Sequence, residues 1–232
     1  MLFTLVMLII FRLGSFIPVP GMNTEALSQL IQSGGLLGFF NTISGGAFDN
    51  FAIFAMSITP YINSTIIMQL LTIAIPSLEA LAKEGEEGRR KIAQYTRYGT
   101  VILALIQALA LSYGLRGYLL RTDAASIILV ALSLTAGTAF LMWLGEQINE
   151  KGIGNGISLL IFAGIVSRVP GGVLKIVELY KVKSTNLIEI AFFLIFAILI
   201  IMAVIFIQEG ERRIPVQYAK RVVGRRMYGG QS

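Results

Sequence analysis

The chain contains no cysteine and no histidine, and charged residues make up only 14% of it. Without cysteine there is no disulfide and no thiolate chemistry, and without histidine the commonest general base and metal ligand are missing. We therefore expect no enzyme activity, no metal site and no cofactor. The remaining carboxylates lie beside basic residues in predicted loops, where solvated charge pairs explain them better than catalysis does. Among them are Glu84, Glu86, Glu87, Glu146, Glu150, Glu209 and Glu211.

Hydrophobic residues make up 55% of the 232 residues, and the mean hydropathy is +0.76. These values are typical of an integral membrane protein rather than of a soluble domain. About 20 apolar residues cross a bilayer as a helix. The pattern therefore predicts an all-α membrane bundle with six spans, at 2–19, 50–75, 100–115, 126–144, 157–166 and 187–207. The fifth span reaches the required length only with its flanks, and a re-entrant segment is the alternative.

Lysine and arginine are concentrated on one side of the predicted membrane. One set of connections holds 12 of the 19 basic residues: 76–99, 146–156 and 208–232. The other set holds 6: 17–49, 116–123 and 168–186. Because positively charged loops stay in the cytoplasm, the N-terminus and the tail are predicted to be cytoplasmic. Arg12 lies inside the first apolar run, where it either snorkels outward or pairs with an acidic group, and no role is assigned to it.

The second predicted span has no charge but carries polar residues along its middle: Ser57, Thr59, Pro60, Asn63, Ser64, Thr65 and Gln69. Polar groups in a membrane span usually face a bundle interior or a water-filled path. We therefore expect this helix to line a wet path. Ile58 and Ile62 lie one turn apart on one face of the helix, and Ile66 continues that face. Isoleucines at this spacing are also typical of plain packing or lipid contact.

A short apolar piece of the first external connection, 36–48, is bounded by glycines: Gly34, Gly35, Gly45 and Gly46. It is too short to cross a membrane. A half-helix of this kind can pack back into the centre of the protein and swing on its glycines. The pattern predicts a movable stopper, and an interfacial helix on the outer leaflet is the alternative.

Several long motifs follow one another along the chain: FRLGSFIPVPGM at 11–22, SGGAF at 44–48, FAMSITPYINSTIIMQLL at 54–71, KEGEEGRRKIAQYTRYGT at 83–100, GEQINEKGIGNGISLLIFAGIV at 145–166 and GERRIPVQYAKRVVGRRMYGGQS at 210–232. Several of them are long and mostly polar, so chance similarity between apolar sequences does not account for them. Together they resemble the SecY family, the pore subunits of the bacterial protein-translocation channel. The resemblance implies ten spans in two inverted halves that face each other like a clamshell.

On this resemblance, residues 1–173 form the N-terminal half with spans one to five. Residues 174–207 form a connection and the sixth span, and residues 208–232 form a basic cytoplasmic loop that precedes a seventh span absent from this chain. The implied function is a passive, gated channel in the bacterial plasma membrane. Such a channel conducts unfolded secretory polypeptides and releases membrane segments sideways into lipid.

The resemblance also implies site residues. The pore ring consists of Ile58, Ile62, Ile157 and Ile161. The plug, 36–49, includes Leu36, Phe39, Phe40, Ile43, Gly45, Gly46 and Phe48. The lateral gate includes Gln69 and Gln107 on the second and third spans, where an ordinary interhelical hydrogen bond is a compatible interpretation.

The basic tail is implied to contact the ribosome and the SecA ATPase through Arg212, Arg213, Lys220, Arg221, Arg225 and Arg226. Binding to anionic lipid head groups is the alternative for these residues. Further implied partners are SecE, SecG, signal sequences, nascent polypeptides and membrane lipids.

Two other classes compete with the channel. A secondary transporter or ion channel also has broken helices and polar span residues. Coupled transporters often carry charges near the midplane, however, and here acidic residues lie in loops or, for Glu189, near a span end. An intramembrane hydrolase needs a base beside its nucleophile, and no membrane-embedded lysine is available to Ser64 or Ser158. No nucleotide-binding glycine loop is present, so we expect a partner to supply the energy for transport.

Overall fold

The computed structural model describes residues 1–24, 41, 44–182, 186–211, 221–223 and 226–228, in two compact units, Met1–Gly172 and Val173–Ser232. The described elements are α1 (Leu2–Gly14), α2 (Thr59–Ala74), α3 (Pro76–Lys83), α4 (Glu86–Gly114), a 3₁₀ helix (Arg116–Tyr118), α5 (Ala124–Lys151), α6 (Gly156–Val166), α7 (Val169–Lys181), α8 (Leu187–Gln208), β1 (Arg221–Val223) and β2 (Arg226–Tyr228). The predicted helical bundle is confirmed.

Among the described residues, three helical stretches are long and apolar enough to cross a membrane: Ala124–Lys151, Gly156–Lys181 and Leu187–Gln208. The bent pair of α2 and α3 would be a fourth. The length of Gly156–Lys181, 26 residues, favours a full, broken span over a re-entrant segment. The first predicted span is the shorter helix α1, and the third lies in the C-terminal half of α4. The count of six spans stays a prediction.

The second predicted span is helical only from Thr59 onward, so the prediction of one continuous helix is wrong at its start. Residues 50–58 form a succession of turns, and Pro60 lies in the first turn of α2. Proline is favoured there because its ring presets the helical φ and its missing N–H would have no helical partner. The helix ends where expected, because Ile75 precedes Pro76 and is extended at φ −108° and ψ 113°.

Three stretches predicted as connections are largely helical. The connection 76–99 forms α3 and the first half of α4, residues 146–151 complete α5, and residues 169–181 form α7. Helices tolerate these charged sequences because the charges lie on exposed faces, and the pair Glu79–Lys83, 2.6 Å apart, supports α3. Glu146 is indeed in a charge pair, since its Oε1 accepts a hydrogen bond from Arg97 Nε at 2.6 Å.

Helix α5 is the central element of the first unit. It packs against α1, α2, α4 and α6. Its fully buried side chains include Leu134, Leu141 and Leu144. Gly145 faces Gly156 at the start of α6 so closely that a Cβ on Gly156 would overlap the Gly145 carbonyl oxygen. Glycine on both helices permits this close approach of the two backbones.

Helix α4 presents small residues to its neighbours at every fourth position: Thr96, Thr100, Ala104, Ala108 and Ser112, all buried. Small side chains let helices approach closely, which matters in lipid because burial from water does not drive helices together there. The three hydroxyls each donate to the carbonyl oxygen four residues earlier, at 2.7–3.0 Å. Burial therefore leaves these donors paired.

The non-helical stretch 44–58 is mostly buried within the first unit. It pairs with the chain that follows α1, since Val19 N–H donates to the Phe51 carbonyl at 2.9 Å and Ile53 N–H donates to the Ile17 carbonyl at 3.0 Å. Irregular backbone at membrane depth is tolerated only where it is buried in protein or lines a cavity. The pairing with residues 17–19 gives some of the buried backbone groups of this stretch their hydrogen-bond partners.

Phe54 fixes the same stretch to two helices. Its ring stacks on Phe11 of α1 and on Phe140 of α5, with centroids 6.1 and 5.9 Å away. A Cβ on Gly14 would overlap the Phe54 ring. Stacked aromatic pairs add stability beyond the apolar area that they bury, so Phe54 connects α1 to α5.

The second unit contains α8, which is the most apolar of the candidate spans, with a mean hydropathy of 3.4. Glu189 and Asn186 cap its N-terminus reciprocally, and Asn186 N–H donates to Glu189 Oε2 at 3.2 Å. In the tail, β1 and β2 pair antiparallel, with Arg221 opposite Tyr228.

We expect Gly137→Ala to lower the free energy of unfolding by about 2 kcal/mol, because overpacking a core typically costs roughly 1–3 kcal/mol. The space that a Cβ at Gly137 would need is taken by the Ile53 carbonyl oxygen. The measurement is reversible chemical unfolding in detergent micelles. Gly114→Ala is the matched control, since it is also helical and a Cβ there meets nothing within 4 Å. Equal effects of the two changes would contradict the packing described for Gly137.

Candidate functional site

The structure brings together three of the four isoleucines predicted to form a ring. Ile58, which is 1% exposed, precedes α2 and lies in one hydrophobic cluster with Ile157 and Ile161 of α6. Ile62, which is 37% exposed, lies one turn into α2, and its N–H donates to the Ile58 carbonyl at 3.1 Å. Apolar side chains from two elements therefore meet at one place, while their role as a pore wall stays a prediction.

Two asparagines position α6. Asn155 Oδ1 accepts from the N–H groups of Ile157 and Ser158 at 3.1 and 3.2 Å, and Asn149 Oδ1 accepts from Gly156 N–H at 2.7 Å. An asparagine at this position satisfies N–H groups that have no partner within the helix. The sequence interpretation missed both residues, although asparagine before an apolar run is a usual sign of a helix start.

The structure describes only the end of the predicted plug. Gly45 and Gly46 have φ of 66° and 91°, which is the left-handed region that glycine adopts without strain. Phe48 is buried against Phe51, with ring centroids 5.9 Å apart. Four predicted plug residues lie outside the described residues: Leu36, Phe39, Phe40 and Ile43. The described part is a buried turn, and its role as a plug stays a prediction.

Two arginines without a predicted role contact this turn. Arg12, in the last turn of α1, donates to the Gly45 carbonyl oxygen at 2.7 Å and to Ser167 Oγ at 3.2 Å. Arg12 was expected either to snorkel outward or to pair with an acidic group. It turns inward instead, and its hydrogen-bond partners are neutral. Arg168 follows α6 and donates to Asp49 Oδ2 at 2.6 Å. The one available sign in the sequence was the charge of Arg12 within an apolar run.

The two predicted gate glutamines are on α2 and α4. Gln69 is exposed and Gln107 is half-buried, and neither side chain hydrogen-bonds another residue in the described part of the chain. Ser64 makes the interhelical bond instead, since its Oγ donates to the Thr96 carbonyl at 2.8 Å. A Cβ on Gly99 would lie 2.7 Å from Ser64 Oγ, so the two helices are close here. The gate itself stays a prediction.

Two of the predicted tail residues are described, Arg221 in β1 and Arg226 in β2. The other four lie outside the described residues: Arg212, Arg213, Lys220 and Arg225. Binding by the tail stays a prediction.

Comparison with known sequences places these features in a family. A model of the SecY family matches residues 52–232. The chain is 51% identical to the protein translocase subunit SecY of Halalkalibacterium halodurans and 45% identical to that of Escherichia coli K12, with 100% of this chain aligned in each case. The alignments cover 56% and 54% of those proteins. The chain thus spans about half the length of the curated relatives that it matches.

Solved structures show the same fold. A protein-conducting channel aligns with a TM-score of 0.63, covering 99% of this chain and 51% of that one. A second structure aligns with a TM-score of 0.64, covering 97% of this chain and 51% of that one. It is a SecY protein whose plug domain is described as stabilising the closed state of the translocation channel and maintaining a membrane seal. Sequence identity is 20% in both cases, so these structures bear on the fold alone.

We expect Asn155→Ala to lower the free energy of unfolding by about 1 kcal/mol, the usual effect of losing an N-cap side chain. Hydrogen exchange at the amides of Ile157 and Ser158 should accelerate, because they lose their acceptor. Asn155→Asp keeps an acceptor oxygen and should behave like the unchanged protein. The same loss in both variants, measured by unfolding in micelles and by exchange, would show that the cap does not position α6.

Proposed function

This chain belongs to the SecY family, and on that premise we propose that it is the N-terminal portion of the channel-forming subunit of a protein translocase. The complete subunit conducts unfolded secretory polypeptides across the bacterial plasma membrane and releases membrane segments sideways into lipid. The channel is passive, and a partner supplies the energy for transport.

The observation that carries the proposal is the meeting of Ile58, Ile157 and Ile161 in one cluster with Ala47 of the glycine-bounded segment. A narrow apolar constriction resists wetting and so limits ion flow. Aliphatic side chains can also give way to a passing polypeptide and close behind it. An apolar constriction beside a buried turn that has few helical bonds fits a pore that is closed at rest.

In this proposal, segment 36–49 is the plug, and the α2–α4 face with Gln69 and Gln107 contributes to the lateral gate. The Ser64 bond to Thr96 supports a fixed pairing of these two helices. They would then move as one wall when the gate opens toward lipid.

The basic tail is the proposed contact with the ribosome and the SecA ATPase, and SecE and SecG are the proposed membrane partners. Arginine suits RNA phosphates because its planar fork of donors matches phosphate geometry. The excess of basic residues in the tail and in 76–99 supports a cytoplasmic location for both, and for the N-terminus.

A coupled transporter is less well supported. Glu189, near the start of α8, caps its own helix. Glu146 pairs with Arg97, and Asp49 pairs with Arg168. These carboxylates have structural partners, which leaves them poorly suited to bind a coupling ion.

We expect a cysteine at Ile62 or Ile161 to form a disulfide with a cysteine in a stalled secretory chain, because both positions line the proposed constriction. The experiment uses the complete gene product that carries this sequence, in membranes. This chain contributes no native cysteine. The readout is the shifted band on a non-reducing gel.

Leu194→Cys is the matched control, since Leu194 lies within α8 and is 55% exposed. It should give no cross-link. Failure of both test positions while the chain is demonstrably stalled would overturn the assignment of a polypeptide pore to these isoleucines.

A further inference from the structure

Two arginines from different parts of the first unit converge on one short segment, 44–49, and on Asn41, which hydrogen-bonds to Asp49. Arg12 belongs to the last turn of α1, and Arg168 follows the end of α6. The Arg12 guanidinium also lies 4.7 Å from the centre of the Phe16 ring, a distance typical of a cation–π contact. An arginine side chain loses considerable conformational entropy when it is held in one position. The contacts that hold these two arginines must therefore offset that loss.

Arg168 closes a ring of charge-assisted bonds. Its Nη2 donates to Asp49 Oδ2 at 2.6 Å and to Asn41 Oδ1 at 2.8 Å. Asn41 Nδ2 in turn donates to Asp49 Oδ1 at 2.6 Å. Arg168 Nε is buried and has no hydrogen-bond partner among the described residues. Bonds between ionised partners are roughly twice as strong as neutral ones.

Arg12 holds the same segment through its backbone. Its Nη1 donates to the Gly45 carbonyl oxygen, and Ser167 Oγ, the second acceptor of Nη1, donates to the Gly164 carbonyl at 2.7 Å. A Cβ on Gly45 would lie 2.7 Å from the Gly164 Cα. The turn therefore packs directly against the backbone of α6. The two arginines bind it from the ends of α1 and α6.

We propose that Arg12 and Arg168 form a latch that holds segment 44–49, together with Asn41, in its buried position and so sets how readily this segment is displaced. The inference deepens the proposed function, on which its consequence for a channel rests. The latch suits reversible release, because its bonds are made by side-chain tips and the Arg168–Asp49 pair is partly open to solvent, at 36% and 31% exposure. Breaking it does not require α1, α5 and α6 to separate.

The latch is tested by the accessibility of a cysteine introduced as Ala47→Cys, a position that is 0% exposed. Arg168→Gln and Arg12→Gln should each raise the rate of labelling by a water-soluble maleimide about tenfold, the factor that corresponds to about 1.4 kcal/mol. Ser44→Cys, also buried, is the second probe if the first cysteine prevents folding. The complete gene product in proteoliposomes is used throughout.

Arg116→Gln is the matched control. Arg116 is an exposed arginine whose guanidinium contacts only Tyr113 among the described residues. It should leave the labelling rate unchanged. An unchanged rate in both Arg12→Gln and Arg168→Gln, or an equal rise in Arg116→Gln, overturns the latch.

A double-mutant cycle separates the pair from a general loosening. Asp49→Asn alone should raise labelling as Arg168→Gln does, and the two changes together should add little, because each already breaks the same bond. Multiplication of the two effects would show that Asp49 and Arg168 act independently and would contradict the pairing.

A translocation assay on the same vesicles keeps this inference distinct from the proposed function. If the protein transports a secretory substrate and labelling is unchanged, the latch fails while the channel stands. If labelling rises in the arginine variants but the unchanged protein neither transports nor cross-links to a stalled chain, the latch is supported and the proposed polypeptide channel fails. A latch variant of a working channel should also show a raised resting ion leak.

Discussion

The first unit depends on one constraint: the irregular stretch 44–58 must find partners for its backbone polar groups inside the protein. An unsatisfied amide in hydrocarbon costs several kcal/mol. The chain after α1 supplies some of these partners through the bonds of residues 17–19, and Asn41 supplies others, including its carbonyl oxygen to Gly46 N–H at 3.0 Å. Helices α1 and α5 also contact the stretch, since the Phe54 ring stacks on Phe11 of α1 and on Phe140 of α5.

Two kinds of contact follow from this arrangement. The helices are joined by close backbone approaches, such as Gly145 with Gly156 and Ser64 with Thr96 and Gly99, and these do not loosen without separating whole helices. The turn at Gly45 combines two kinds of contact, since it lies against the Gly164 backbone of α6 and the side chains of Arg12 and Arg168 hydrogen-bond to Gly45 and Asp49. The side-chain bonds are the ones that can break while the helices stay in place, and segments that move are drawn from the less stable parts of a fold.

Much of this could be read from the sequence, and each failure has a physical cause. The apolar runs predicted the helical membrane class, and Pro76 predicted the end of α2. Pro60 indicated the start of α2 equally clearly. The start was missed because the apolar run continues on both sides of Pro60, so hydropathy does not change where the turns end and the helix begins. The spacing of Ile58 and Ile62 predicted one helix face, but Ile58 precedes α2 and packs with Ile157 and Ile161, while Ile62 is 37% exposed. The bonds from Arg12 to Gly45 and from Arg168 to Asp49 join residues far apart in sequence, and no local pattern encodes them.

The sequence by itself determined that the chain is a membrane protein without thiol or imidazole chemistry, and its long polar motifs identified the family. Those properties depend on composition and on the order of residues along the chain. Only the tertiary structure decided that 50–58 is a buried turn, that Ser64 rather than Gln69 or Gln107 bonds α2 to α4, and that Arg12 faces inward. Each of these depends on which distant backbone group comes within hydrogen-bonding distance, and folding alone establishes that.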